Sequence, residues 1–221
     1  MAISPQLVQS GIVSFCEHCA RGLDEQTTHT ARIDLITEEL PRLLLDNDLI
    51  AGLLSNLANG EAYPDVRRPT MFDNEVLLYL DPQGLFSLRL YLWGPMEYTY
   101  PHDHNSWGVI GTASEGYEVI NYRRVDDESH EGYARLVEVE RVRLEPGETT
   151  FTLPFSKGIH KTGNATKTSI ATLHFYGKTL PRGYLNSFDI ANNRVYRVFP
   201  PRQKKQLLAR QALDCLGKEI R

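Results

Sequence analysis

The chain has 221 residues, 41% of them hydrophobic and 24% charged, with a formal net charge of -4 at pH 7. That balance is ordinary for a globular protein with a sizeable core, and it lacks the basic stripe that nucleic-acid binding requires. No apolar run reaches the roughly 18 residues of a membrane-crossing helix, and MAISPQLVQS lacks the order of a secretory signal, so a cytoplasmic protein with no membrane partner is expected.

One domain is expected in three parts: a helical cap over 1–70, a β-barrel over 75–200 and a C-terminal helix over 201–221. SGIVSFCEHCARG reads as helix. Its Cys16 and Cys19, with Cys215 far away, make an odd number of cysteines, so no disulfide framework is expected and the CxxC simply occupies a helix. The next stretch places Ile33, Ile36, Leu40, Leu43 and Leu44 at helical spacing, and Pro41 should start or kink a helix there. After a polar break at Gly60–Pro69 the texture turns β-branched and aromatic. Strands are predicted at EVLLYLD, LFSLRLYLWG, TYPHDHNSWGVIG, GYEVINYRRV, ARLVEVERVRL, TTFTLP, GIHKTG and TSIATLHFYG. Glu145-Pro146-Gly147 suits a type II turn, because proline presets φ and glycine accepts a positive φ. Many short strands without intervening helices predict an antiparallel sandwich or barrel. The tail PPRQKKQLLARQALDCLGKEI returns to helix, with Leu207, Leu208, Ala212 and Leu216 as an apolar stripe.

Within PHDHNSWG, alternation along a strand places His102 and His104 on one face and Asp103 on the other. Two neutral imidazoles on one face grip a metal ion if a third arrives from a neighbouring strand, and His160 in GIHKTG is the candidate. The bland alternative is two half-buried histidines in a polar strand. Gly94 ahead of HDH, then Pro154, Gly158, His160 and Asn164, stand in the order of the two cupin motifs, and the chain resembles the cupin superfamily. The resemblance implies a mainly β fold, a double-stranded β-helix (cupin jelly-roll barrel) flanked by the N-terminal helices and the C-terminal helix. Gly108 and Val109 occupy the place of the usual cupin glutamate. With LYLWG before HDHNSWGVIG, GIH in the second motif and TLHFYG after it, residues 75–178 resemble the cysteine dioxygenase family of thiol dioxygenases. That resemblance implies Fe(II) on His102, His104 and His160, with a small thiol, cysteine- or 3-mercaptopropionate-like, oxidised by O2 to a sulfinic acid.

On TSIATLHFY, alternation puts Thr172, His174 and Tyr176 on one face and Ala171, Leu173 and Phe175 on the other. The polar face either meets water or needs internal hydrogen-bond partners. The resemblance implies the latter, a Ser-His-Tyr relay with Thr172 in the serine position, and it implies that Trp93 walls the pocket. The family's carboxylate-binding arginine would fall at Val76 or Leu77, so two other cations are candidates. Arg89 shares strand parity with Ser87, Tyr91 and Trp93, and pointing inward it would require an anion. Arg182 follows the relay strand. The family's crosslinking cysteine would fall near Val109, so no thioether is expected. Asp103 is expected to be a structural acceptor, and His18, His29 and His130 to lie at the surface. Two rival classes stay open: a metal-dependent cupin acting on a non-thiol substrate, and a cupin that binds a metabolite without catalysis.

Overall fold

The structure, a computed structural model, describes residues 4–60 and 72–215. Helix α1 (Pro5–Asp24) starts where the Ser4 side chain accepts from the Leu7 N–H and Pro5 takes the first turn. Its buried face is Val8, Ile12, Cys16, Cys19 and Leu23, so the CxxC cysteines are core residues, and burial raises both thiols. Helix α2 (His29–Leu44) carries Pro41 in its last turns instead of beginning there. The chain breaks just beyond, and Asp46 caps α3 (Asn47–Ala58).

Ten strands follow among the described residues: β1 (Glu75–Leu80), β2 (Phe86–Trp93), β3 (Gly108–Thr112), β4 (Tyr117–Arg124), β5 (Leu136–Leu144), β6 (Thr149–Thr152), β7 (Ile159–Asn164), β8 (Ile170–Gly177), β9 (Leu185–Asp189) and β10 (Arg194–Val198). One sheet runs β1-β2-β8-β3-β6, and the others are β5-β4-β7 and the hairpin β10-β9. Two sequence expectations need correction. TYPHDHNSWGVIG is a regular strand only from Gly108, and the β9–β10 hairpin was not foreseen. The segment before Gly108 still pairs, with Tyr98 opposite Gly163 and His102 opposite both His160 and Ser187. It thereby bridges β7 to β9 and extends the second layer.

The two layers enclose Tyr91, Trp93, Ile110, Tyr117, Val119 and Tyr176. The opposite face of the five-stranded sheet, with Leu88, Leu90, Val109, Leu173 and Phe175, packs on the helices. Every residue of β8 is buried, because the helices cover one face and the barrel interior the other. The fold is thus mainly β, a double-stranded β-helix with helices before and after it.

Local constraints explain the motif residues. A Cβ at Gly158 would lie 2.0 Å from the Leu153 carbonyl oxygen, so no other residue fits there. The buried Asn164 side chain donates to the Gly94 and Thr168 carbonyls at 2.8 and 2.6 Å and accepts from the Thr166 N–H at 2.8 Å, locking the two motifs together. Gly147 has φ +87° and the Glu148 N–H donates to the Glu145 carbonyl at 2.9 Å, the turn expected from Pro146-Gly147. Helix α4 (Pro201–Cys215) does not bury the expected stripe, for Leu207 and Leu208 are 37% and 52% exposed, and Leu216 lies outside the described residues. Among the described residues no helix is long and apolar enough to cross a membrane.

Candidate metal centre

His102 and His160 exchange backbone hydrogen bonds, N–H to carbonyl, at 2.8 and 3.0 Å. Directly opposed residues of an antiparallel pair project to the same face, and His104, two residues on, joins them. The three rings form a near-equilateral triangle with centroids 4.8, 4.9 and 4.8 Å apart. All three are buried, and one ring nitrogen from each lies within 4.8 Å of the others. The His102 Nδ1–H donates to the Tyr100 carbonyl at 2.9 Å, which turns its Nε2 lone pair toward the other two rings.

Burial pushes the pKa of His102, His104 and His160 down, and for His104 and His160 the neighbouring histidines push it further. The rings are therefore neutral, and their lone pairs converge in a dry site that a cation would relieve. His104 Nε2 and His160 Nε2 are 2.8 Å apart. Three neutral imidazole donors gathered in one buried cluster suit a divalent transition metal.

Asp103 points the other way, as strand alternation requires. Its carboxylate accepts from both Arg182 amino groups and from the backbone and side chain of Asn186, four hydrogen bonds in all. A carboxylate has about four lone-pair sites, so none remains for a metal. Arg182, a candidate for a substrate carboxylate, pairs its guanidinium with Asp103, with the rings of Phe155 and Tyr184 4.7 and 5.1 Å away. Arg89 does point inward, and the anion it needs is Glu75 on β1, with a further bond from its Nε–H to Ser87 Oγ at 3.0 Å. Its guanidinium carbon lies 5.8 Å from the Tyr176 ring centre. Leu77, at the family's arginine position, is buried.

The face of β8 predicted to be polar is fully satisfied inside the protein. Trp93 Nε1–H donates to Thr172 Oγ1 at 2.9 Å, Thr172 Oγ1 lies 3.0 Å from His174 Nε2, and His174 Nδ1 lies 3.0 Å from Tyr176 Oη. The indole can only donate, so Thr172 accepts from Trp93. Burial keeps His174 neutral, so its ring donates one proton and accepts at the other nitrogen, between the Thr172 and Tyr176 hydroxyls. Tyr91 also bonds the Tyr176 hydroxyl, and burial holds that phenol protonated. The Tyr176 ring stacks on His104 at 5.2 Å.

Gly108 lies opposite Tyr176 on β3, and a Cβ there would be 2.5 Å from Tyr176 Cδ1. Val109 pairs with Phe175 on the helix-facing side, so no residue stands where a thioether to Tyr176 would form. His18, His29 and His130 are exposed. The sequence reading did not single out Phe72, Tyr117 or Thr162. Tyr117 Oη lies 3.4 Å from His174 Nε2, and Phe72 and Thr162 line the space beside the histidines. Tyr91 also lines it, and its parity with Trp93 was its visible signal. This inner space is about 10 Å³, about one water molecule. It adjoins a cavity of about 270 Å³, the two sharing Phe72, Trp93, Thr99 and His102.

No protein-family model matches the chain. Among solved structures it is similar to a cupin superfamily protein from Desulfitobacterium hafniense, with 13% identity over 47% of this chain and 75% of that one and a TM-score of 0.33. A cupin domain from Bordetella pertussis aligns at 13% identity over 48% and 92% of the two chains, TM-score 0.35. A DMSP lyase structure aligns at 14% identity over 70% and 77%, TM-score 0.40.

Proposed function

We propose that the protein is a non-haem Fe(II)-dependent dioxygenase that converts a small thiol to a sulfinic acid. The observation that supports this reading is the meeting, in one buried space, of three neutral histidine rings and a tyrosine hydroxyl held by an internal hydrogen-bond chain. The reaction is R–SH + O2 → R–SO2H. Two S–O bonds form, the O–O bond breaks, sulfur gives up four electrons that dioxygen takes, and the thiol proton ends on the sulfinic acid. His102, His104 and His160 would hold the iron, which when bound supplies the one-electron chemistry that dioxygen needs.

The remaining residues do work of their own. Tyr176 donates its hydroxyl proton as a hydrogen bond to the oxygen or sulfur lodged in the inner space. His174, Thr172 and Trp93 keep that hydroxyl in one orientation. Phe72 and Trp93 restrict water, which strengthens each hydrogen bond inside.

Loading the protein anaerobically with Fe(II), then measuring oxygen uptake and sulfinate mass with cysteine, 3-mercaptopropionate and cysteamine, tests the proposal. Thiol-dependent uptake with a matching sulfinate supports it. If no thiol is consumed with iron, the reading fails. Turnover of a non-thiol substrate with Mn, Ni or Zn would then indicate a different metalloenzyme, and metabolite binding that survives His160→Ala would indicate a binding module.

A further inference from the structure

The cavity of about 270 Å³ outside the inner space has a polar lining rich in acceptors. Asn74 donates its side-chain amide to the Leu92 carbonyl at 3.0 Å, and Asn186 donates its amide to Asp103 at 2.8 Å. Both partners can only accept, so each asparagine keeps its side-chain oxygen, with one N–H, unengaged. Asp73 makes no hydrogen bond or ion pair, and Glu97 uses only Oε2, to accept the Gly94 N–H. Every charged or amide group of the lining therefore presents an acceptor. Among the described residues lining the cavity there is no lysine or arginine, and Phe72, Trp93 and Tyr100 contribute aromatic surface. His102, only 7% exposed, lines both spaces, and its Nε2 has no hydrogen-bond partner.

A mercapto acid needs a cation for its carboxylate. Among the described residues, Arg89 and Arg182 are already matched by Glu75 and Asp103. The geometry points to a thiol whose tail is a cation: an aminothiol with sulfur in the inner space and its ammonium in the outer cavity among Asp73, Glu97 and the two asparagine oxygens. This assignment rests on the thiol-dioxygenase reading for the sulfur end and on the outer cavity alone for the tail. Ammonium groups donate and never accept, and they are attracted to aromatic faces, so both features of the lining favour them.

Two measurements test it separately. With the iron-loaded protein, cysteamine should be oxidised with a kcat/KM at least about tenfold above that of 3-mercaptopropionate, a thiol of similar length and opposite charge. The Asp73→Asn/Glu97→Gln double variant should raise KM for cysteamine about tenfold and erase its preference over 2-mercaptoethanol. With the metal-free protein, calorimetry should show 2-(methylthio)ethylamine binding, weakened about tenfold by the double variant, and no binding of 3-(methylthio)propionate. A preference for the acid in either measurement, or amine binding indifferent to the double variant, overturns the cationic tail. If no thiol is oxidised, the dioxygenase reading falls while the calorimetry still decides the tail: amine binding sustains it, and acid binding or no binding rejects it.

Discussion

The aspartate between the two metal-site histidines offers the sharpest test of how this site is held. Asp103 is 1% exposed as a side chain and Arg182 15% exposed, so the pair is screened little by water. Asp103→Asn keeps the shape but replaces one acceptor oxygen by an amide that donates toward Arg182 and Asn186, themselves donors. Breaking one partner of a buried ion pair costs about 3–5 kcal/mol. The residual exposure of Arg182 places the expected cost near the lower end, about 3 kcal/mol, or roughly 6–12 °C in Tm for a chain of this size. Because Asp103 anchors the backbone between His102 and His104, metal affinity should fall as well, by about 10- to 100-fold. Thermal unfolding followed by circular dichroism, with calorimetric metal titration, measures both. A double-mutant cycle with Arg182→Met should show the two changes to be non-additive by about 1.5 kcal/mol or more. Asp103→Asn within about 1 kcal/mol of the parent and additive with Arg182→Met would refute the reasoning, since the carboxylate would then not organise the segment.

Thr172→Val preserves shape but orphans the Trp93 indole N–H and weakens the hold on His174, so it should cost about 2–4 kcal/mol while Thr172→Ser costs about 1; equal urea midpoints for the two variants would remove the hydrogen-bond chain from the account. Gly108→Ala places a methyl 2.5 Å from Tyr176 Cδ1, and should displace that ring and lower turnover more than it lowers metal content, checked by crystallography and metal analysis. His160→Ala should reduce bound metal to well under one equivalent with the barrel intact, read by elemental analysis and circular dichroism. Asp126 accepts from Arg124 and from the Arg135 N–H, which holds its carboxyl well below the ordinary value of 3.8. Its contribution to stability is therefore complete above about pH 5 and is lost progressively as pH falls from there toward the depressed folded value, because the unfolded chain takes up the proton first. The gap in urea midpoint between the parent and Asp126→Asn should narrow from pH 7 through pH 4 to pH 3; a constant gap would show that the carboxylate is not the group responsible.

Much of the site is legible in the chain because strand alternation is a short-range property. The two-residue period placed His102 with His104, set Asp103 against them, and put Thr172, His174 and Tyr176 on one side of β8 before any fold was considered. The helix expected around the CxxC was likewise visible, while the fold made Cys16 and Cys19 core positions. The eight strands that carry strong β-branched runs were visible for the same reason. The weakly patterned LNSFD and RVYRV were not, since their alternation is no clearer than that of a loop.

What the tertiary structure decided is which of these faces meet. Parity indicates that Arg89 points inward and needs an anion, but only the register of β1 against β2 makes that anion Glu75. Arg182 and Asp103 are distant in the chain, and the unforeseen β9–β10 hairpin brings Asn186 alongside them. The hydrogen-bond chain is closed by Trp93 reaching Thr172 across paired strands. A side chain's face follows from its own backbone, whereas its partner depends on how distant segments register, and at this site that register assigns the charges.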